Sequence, residues 1–513
     1  MYSESSVNAF ISRNLDSWDW IKEIPKDSLI AQIYELGGNS FKTSPFTHQL
    51  ASFLVGIHKE SFLYYLFPGS GKTKIALDIL NYLYYNKKIK RTLVLVPYTI
   101  TIESWKDQIE EHSNFKYLPL LGTSKKRLES LKNCKDYDIV GLSYSGLTAL
   151  IPHTIVKNKN RKEILLDYSV LEEFSNNFDS IIYDELHYCK SYNSIIFNIC
   201  KYLSNKYKYK YGLTGTPTSR NLEDFWSQFY LIDGGETLGK TISFYRQAFF
   251  EQKKNYWGGY EYKIKKERKE LLMKIIKNNS ITYRDDEVFD LPEKVNIIKH
   301  LSLSKQQCEF YKKAMEGVIE AKGDITQLDN SFIKIRQITS GYIKFTSNEG
   351  EEVKIIFDEN PKLESLVEIL NEIGNEKLVV FNEYTITGDI ICDRLKQEKI
   401  GHERLYGATE NKYETMQKFL NDKDCRVYVV NSKSGAMSLN LQKAHYQVYF
   451  ESPVSPIIRE QSGKRLHRLG QQHRVFIYDL VMKHTIDEKI VGFIKEGKSL
   501  YEAIFKDYKC LLN

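Results

Sequence analysis

Short apolar, β-branched runs recur along the chain, each followed by a turn and then by apolar positions at helical spacing. SFLYYLF (61–67) leads through PGSGKT (68–73) into a helix with Ile75, Ala76, Ile79, Leu80 and Leu83 on one face. RTLVLVP (91–97) precedes a polar helix containing Trp105, and YDIVGLS (137–143), SIIYDE (180–185) and KYGLTGT (210–216) continue the style. KLVVF (377–381), RVYVVN (426–431), YQVYFE (446–451) and VFIYDLV (475–481) repeat it in the second half. Strands that are apolar throughout and alternate with helices imply parallel sheets covered on both faces. Two such sets predict an α/β protein with two doubly wound parallel-sheet domains.

Between the sets, residues 235–345 have a different character. They are rich in Lys, Glu and aromatics, carry the run YKIKKERKELLMKIIK (262–277), and read as mostly helical insertions projecting from the two sheets. A polar segment, TSNEGEEVKIIFDENP (346–361), follows. The expected plan is an N-terminal segment 1–44 and a first domain 45–295 with a helical insertion at about 235–290. A second domain, 296–513, carries a helical insertion at about 300–345.

At 513 residues the chain exceeds what one ordinary core organises. Its 42% hydrophobic and 27% charged content is that of a soluble globular protein. A net charge of +7 suits a polyanionic partner without demonstrating one. The cysteines (134, 189, 200, 308, 392, 425 and 510) include no CxxC pair, which argues against zinc and disulfides and for a reducing cytoplasm. The start, MYSESSVNAFISRNLDSWDW, has neither the basic nor the apolar part of a signal peptide. No apolar run approaches the ~18 residues of a membrane span.

Three strings carry chemistry. In PGSGKT, the backbone from Gly69 through Ser70 and Gly71 is suited to curl around a phosphate at the start of a helix. Lys72 is placed to reach β- and γ-phosphates and the Thr73 hydroxyl to hold Mg²⁺, although the pattern's first glycine is replaced by Leu66. YDELH (183–187) ends a strand; Asp184 there is a Mg²⁺ ligand candidate and Glu185 a candidate base for an attacking water. In LTGTPTSRNLEDFW (213–226), Thr214 and Thr216 are ready to hydrogen-bond a neighbouring carboxylate or phosphate.

DELH, LTGTP with NLEDFW, and QSGKRLHRLGQ (461–471) together resemble the Swi/Snf-like ATPases of helicase superfamily two, motors of the DEAD/DEAH type. YRDDEVFDLPEK (283–294), LSLSKQQCEFYKKA (301–314), NPKLESLVEIL (360–370), VVFNEYT (379–385) and NSKSGAMSLNLQKAH (431–445) agree in order, so the resemblance covers about residues 45 to 490. Leu66, the glycine-poor NSKSGAMSLNL and the ending of IRQITSGYI (335–343) depart from the usual pattern. They suggest a divergent member, viral or bacterial rather than a eukaryotic remodeler.

The resemblance implies two RecA-like domains with ATP between them and movement along DNA. It implies that Gln49, in THQ (47–49), reads adenine, and that the second domain supplies Arg468 as a finger to the γ-phosphate, with Arg465 and Gln461 beside it. That answers a puzzle in EQSGKRLHRLGQ (460–471), where Arg465 and Arg468 stand at helical spacing with no local carboxylate but Glu460. An arginine finger contributes ~10³–10⁵ in rate, far beyond a solvated surface charge.

DNA phosphate contacts are implied at strand ends: Tyr98, Thr99, Ser143, Tyr144, Asn382, Tyr384, Ser432 and Lys433. Basic stretches at KNKNRK (157–162) and KIKKERK (263–269) are candidate phosphate contacts, the second equally readable as a solvated helix, whereas KYKYK (206–210) reads as an exposed strand face. The expectation is an ATP- and Mg²⁺-dependent DNA translocase on duplex or branched DNA, without membrane or zinc. A strand-separating helicase and a nucleotide-gated binding module without efficient hydrolysis are the alternatives.

Overall fold

The computed structural model describes residues 17–37, 41–158, 161–215, 222–254, 260–284, 287–288, 292–320, 325–346, 351–435, 439–468 and 470–497. It divides into two compact units, residues 1–289 and 290–513, each with its own sheet.

The first unit's strands are β1 (Ser61–Leu66), β2 (Thr92–Val96), β3 (Tyr117–Pro119), β4 (Ile139–Ser143), a hairpin of β5 (His153–Asn158) and β6 (Arg161–Leu166), then β7 (Ser180–Asp184) and β8 (Tyr209–Thr214). A second hairpin, β9 (Phe250–Lys254) with β10 (Tyr260–Ile264), precedes β11 (Ser280–Tyr283). The main sheet runs β11-β1-β8-β7-β2-β4-β3, with every neighbouring pair parallel. Alternate residues feed two cores. Phe62, Tyr64 and Leu66 join Val94, Val96 and Leu213 on one face. Leu63 and Tyr65 join Leu93, Leu95, Val140 and Tyr183 on the other. Both faces are covered by helices, which is why these strands read as unbroken apolar runs.

The second unit holds β12 (Lys294–Leu301), a hairpin of β13 (Tyr342–Thr346) and β14 (Glu352–Ile356), then β15 (Leu378–Asn382), β16 (Gly401–Leu405), β17 (Cys425–Asn431), β18 (Tyr446–Tyr449) and β19 (Val475–Met482). Its sheet runs β12-β19-β18-β15-β17-β16, again entirely parallel. Leu378, Val380, Val427, Val429, Val448 and Leu480 share one core with Leu366, Ile369 and Ile391 from the flanking helices. In a parallel sheet all strands end at the same edge, so strand-end loops collect there and ligand sites follow.

Two local expectations change. Residues 235–345 are mixed rather than mostly helical: the β9–β10 hairpin, β11, β12 and the start of β13 lie among the helices Ile242–Phe249, Lys266–Ile276, Lys305–Glu320 and Ile325–Thr339. KYKYK is not an exposed strand face. Lys206 closes the helix Ile195–Lys206, Lys208 pairs with Glu60 at 2.5 Å, and Lys210 is half-buried on β8, an interior strand. No helix among the described residues is long and apolar enough to cross a membrane.

Candidate active site

The predicted residues of the first unit gather at the ends of β1, β8, β7, β2 and β4. Register places Thr214 of β8 opposite Tyr65 of β1, while Leu213 lies opposite Asp184 of β7. Thr214 therefore sits between the phosphate loop and the acid pair.

The loop itself is shaped by two glycines. Gly69 and Gly71 have φ of 89° and 81°, and a Cβ on Gly71 would stand 2.2 Å from Gln49 Nε2. Only glycine meets both demands. Gly71 then leads into the helix Lys72–Tyr85, which buries Ile75, Ala76, Ile79, Leu80 and Leu83 as expected. Lys72 Nζ donates to the carbonyls of Leu66 (3.0 Å) and Phe67 (3.4 Å), lying back across the loop. Leu66 thus offers the lysine its carbonyl while its side chain enters the core. Thr73 follows, half-buried in the helix's first turn.

Gln49 is tied to this loop. On the helix Thr47–His58, its Oε1 accepts from Phe46 N (3.0 Å) and its Nε2 donates to the Ser70 carbonyl (3.1 Å). His48 Nε2 donates to the same carbonyl at 2.8 Å, and burial lowers the His48 pKa to about 4, so the ring is neutral at ordinary pH. The sequence had singled out Gln49 but not His48, whose role depends on a loop 22 residues away.

At the end of β7, Asp184 is buried and its Oδ2 accepts from Trp105 Nε1 at 2.9 Å. Burial first, and then the charge of Glu185, push Asp184 up to about 6, while Lys72 pulls the other way. Glu185 takes a left-handed conformation (φ 53°, ψ 55°) that a non-glycine residue adopts only at a cost of about 1–3 kcal/mol. Its Oε2 accepts from Thr214 Oγ1 at 3.1 Å and lies 3.2 Å from His187 Nδ1, which is itself 3.0 Å from Thr214 Oγ1. DELH and LTGT are therefore one cluster. The Asp184 carboxylate and the Thr73 hydroxyl on the phosphate-loop helix are hard oxygen donors of the kind Mg²⁺ takes. Thr216 lies outside the described residues.

The DNA-contact candidates divide by exposure. Thr99 is exposed and Tyr98 half-exposed at the start of the helix Thr99–His112. Ser143 and Tyr144 are buried: Ser143 Oγ caps the next helix by accepting from Gly146 N at 3.0 Å, and Tyr144 OH donates to the Asp184 carbonyl at 2.9 Å. In the second unit Asn382 and Ser432 are buried as well, Asn382 Nδ2 donating to the Tyr384 carbonyl at 2.7 Å and Ser432 Oγ to the Asn382 carbonyl at 3.3 Å. Lys433 is exposed and Tyr384 half-buried. Four of the eight are thus internal braces in this structure. The loop Glu383–Tyr384 is held from β18's end by Glu451, whose carboxylate accepts from both backbone N–H groups (2.6 and 3.2 Å) and from Thr387 Oγ1 (2.7 Å).

KIKKERK is likewise split, between the end of β10 at Ile264 and the helix Lys266–Ile276.

The arginine segment of the second unit differs from its expected form. Its helix, Pro456–Gly463, includes Gln461 but ends before Arg465 and Arg468, which lie in the turn that follows. That turn is folded: Leu466 is buried, the Arg465 carbonyl accepts from Leu441 N (3.2 Å), and Arg468 Nη1 reaches the Leu439 carbonyl at 3.5 Å. Gln471 Nε2 binds the carbonyls of Gln442, Ala444 and Leu466. The strings 431–445 and 461–471 are therefore packed together. Burial, then the like charge of Arg465, lower the Arg468 pKa to about 10.

The family profile described as SNF2-related domain matches residues 67–354, and that described as Helicase conserved C-terminal domain matches residues 361–470. A Mycoplasma genitalium protein named as an ATP-dependent helicase is 25% identical over 436 residues, covering 82% of this chain and 38% of the relative. A Saccharomyces cerevisiae DNA repair and recombination protein is 26% identical over 433 residues, covering 78% of this chain and 45% of its own length. The chain thus spans less than half of these relatives. Among solved structures, a Sulfolobus solfataricus SWI2/SNF2 ATPase core in complex with dsDNA is similar at 20% identity and a TM-score of 0.39, over 92% of this chain and 94% of the other.

Proposed function

The chain belongs to the SNF2-related domain family, and from that premise we propose that it hydrolyses ATP to drive movement along duplex DNA. The observation that carries this reading is the convergence of Lys72, Asp184, Glu185 and Thr214 at one sheet edge, with the Thr214 hydroxyl on the Glu185 carboxylate.

The backbone from Gly69 to Lys72 receives the phosphates, and Lys72 leaves the Leu66 and Phe67 carbonyls to neutralise the β- and γ-oxygens. Thr73 and Asp184 would hold Mg²⁺, which would supply positive charge against the phosphates. Glu185, kept in place by Thr214 and His187, takes the proton of the attacking water. Gln49 presents its amide to adenine and fixes the loop on which the phosphates rest. Arg468, with Arg465 and Gln461, answers the charge that develops on the transferred phosphate. Such stabilisation is strong where water is excluded.

Tyr98, Thr99, Tyr384 and Lys433 are the accessible candidates for gripping a phosphate backbone, which needs no base reading. The DNA repair name of one relative supports DNA as the track. The deciding experiment measures ATP hydrolysis with no nucleic acid, single strands, duplex, branched DNA and RNA. Duplex is expected to stimulate most. Hydrolysis absent under all conditions would make the chain a nucleotide-gated binding module, and ATP-dependent separation of a forked substrate would make it a helicase.

A further inference from the structure

We infer that Tyr188 is a positioning residue that couples the grip on DNA to the acid centre, a role that rests on the motor reading above. Tyr188 follows DELH in the short helical turn Leu186–Cys189 and touches the tyrosines that follow β2 and β4. Its ring stacks on Tyr144, with centroids 5.7 Å apart and planes 5° from parallel. It meets Tyr98 edge-on at 5.6 Å and 87°, and its hydroxyl donates to the Tyr98 hydroxyl.

Both ends of this stack reach chemistry. Tyr144 OH donates to the carbonyl of Asp184, the backbone group just before Glu185. The His187 ring lies 5.1 Å from Tyr188, and its Nδ1 sits between Glu185 Oε2 and Thr214 Oγ1. At the other end Tyr98 is half-exposed beside the exposed Thr99. A backbone seized at Tyr98 therefore pulls on a rigid ring, and that ring is packed against Tyr144, which holds the Asp184 carbonyl, and His187, which meets the Glu185 carboxylate. Aromatic side chains in contact shift between discrete arrangements rather than deforming smoothly, so a small movement at one end is passed on. Glu185, already in a strained conformation, is where such a movement changes the aim of a carboxylate.

The test uses the full chain and the variants Tyr188→Phe, Tyr188→Leu and Tyr98→Phe. Steady-state kcat and KM for ATP are measured without nucleic acid and across a duplex titration, with thermal melting of each variant alongside. Tyr188→Phe keeps the stack and loses only the hydroxyl. It is expected to melt with wild type and to retain the DNA-free kcat and KM, yet to lose about fivefold or more of the maximal duplex stimulation, the lower end of ordinary coupling between sites. The half-saturating duplex concentration should barely move. Tyr98→Phe should lose the same stimulation, and the double variant no more than either alone. Tyr188→Leu should lose more, because the stack goes too. Full duplex stimulation in Tyr188→Phe, or additive losses in the double variant, overturns the coupling role. If wild type itself shows no duplex stimulation, the motor reading fails first, and the variants are not needed to show it.

Discussion

The acid centre of the first unit and the arginine segment of the second each set a like charge beside a desolvated one, Glu185 by Asp184 and Arg465 by Arg468, and differ in the partners that answer it. At the end of β7 each group is held by a complementary one: Asp184 by the Trp105 indole, Glu185 by Thr214 and His187, Lys72 by two carbonyls. Arg468 is acted on by burial and by the like charge of Arg465, and both push its pKa down. Its own segment shows what a structural arginine looks like. Arg459 makes a bidentate pair with Asp479 (2.6 and 2.7 Å) and lies 3.3 Å over the Tyr449 ring. Burial alone would depress Arg459, but Tyr449 and Asp479 hold it above its ordinary value. One arginine is neutralised by its own fold; the other keeps an electrostatic cost that an anion would relieve.

A large effect on turnover is expected at the acid centre. Glu185→Gln keeps the Thr214 contact but removes the base, and hydrolysis should fall by about 10²–10⁴ with ATP affinity kept. Wild-type turnover in this variant would remove Glu185 from the chemistry.

Arg459→Met should leave Asp479 buried and uncompensated, destabilising the chain by about 3–5 kcal/mol in urea unfolding. A loss below ~1 kcal/mol, the range of a surface pair, would erase the contrast with Arg468.

Asp184 sharpens the comparison through pH. Its folded pKa of about 6 lies above the ordinary 3.8, so its ionisation opposes folding as pH rises through that window. Asp184→Asn should therefore stabilise the protein at pH 8, by at most about 3 kcal/mol. The gain should vanish as pH falls toward 4. Stability curves at several pH values read it directly, and a pH-independent difference would assign the effect to packing.

The smallest effect belongs to Gln49→Ala, which removes a strap from the phosphate loop. About 1 kcal/mol of stability should go, together with part of the preference for ATP over GTP, measured as the ratio of kcat/KM values.

Much of the architecture was legible because doubly covered strands are apolar throughout. SIIYDE, RVYVVN and VFIYDLV announce β7, β17 and β19 almost to the residue. The edge strands hid. β11 (SITY), β12 (KVNIIKHL) and β16 (GHERL) are short or interleaved with charge, since a strand at a sheet's edge buries less of itself. The phosphate loop and DELH were readable because their function depends on local backbone shape. Trp105, His48, Thr387 and Glu451 were not, because each meets its partner across distant sequence. Tyr188 left a faint signal: an aromatic directly after DELH, in a chain that also puts tyrosines at two other strand ends. The buried states of Ser143, Tyr144, Asn382 and Ser432 were hidden for another reason. A hydroxyl or amide at a strand end serves equally to cap a helix and to touch a phosphate.

The central claim, that a half-buried and electrostatically costly arginine serves catalysis, is tested most directly by Arg468→Ala. ATP turnover with saturating duplex is measured beside nucleotide affinity and unfolding free energy. The account predicts a loss of about 10³ or more in turnover, ATP affinity within a few-fold of wild type, and stability equal to or above it. Wild-type turnover in Arg468→Ala, or a collapse of stability like that expected for Arg459→Met, would contradict it.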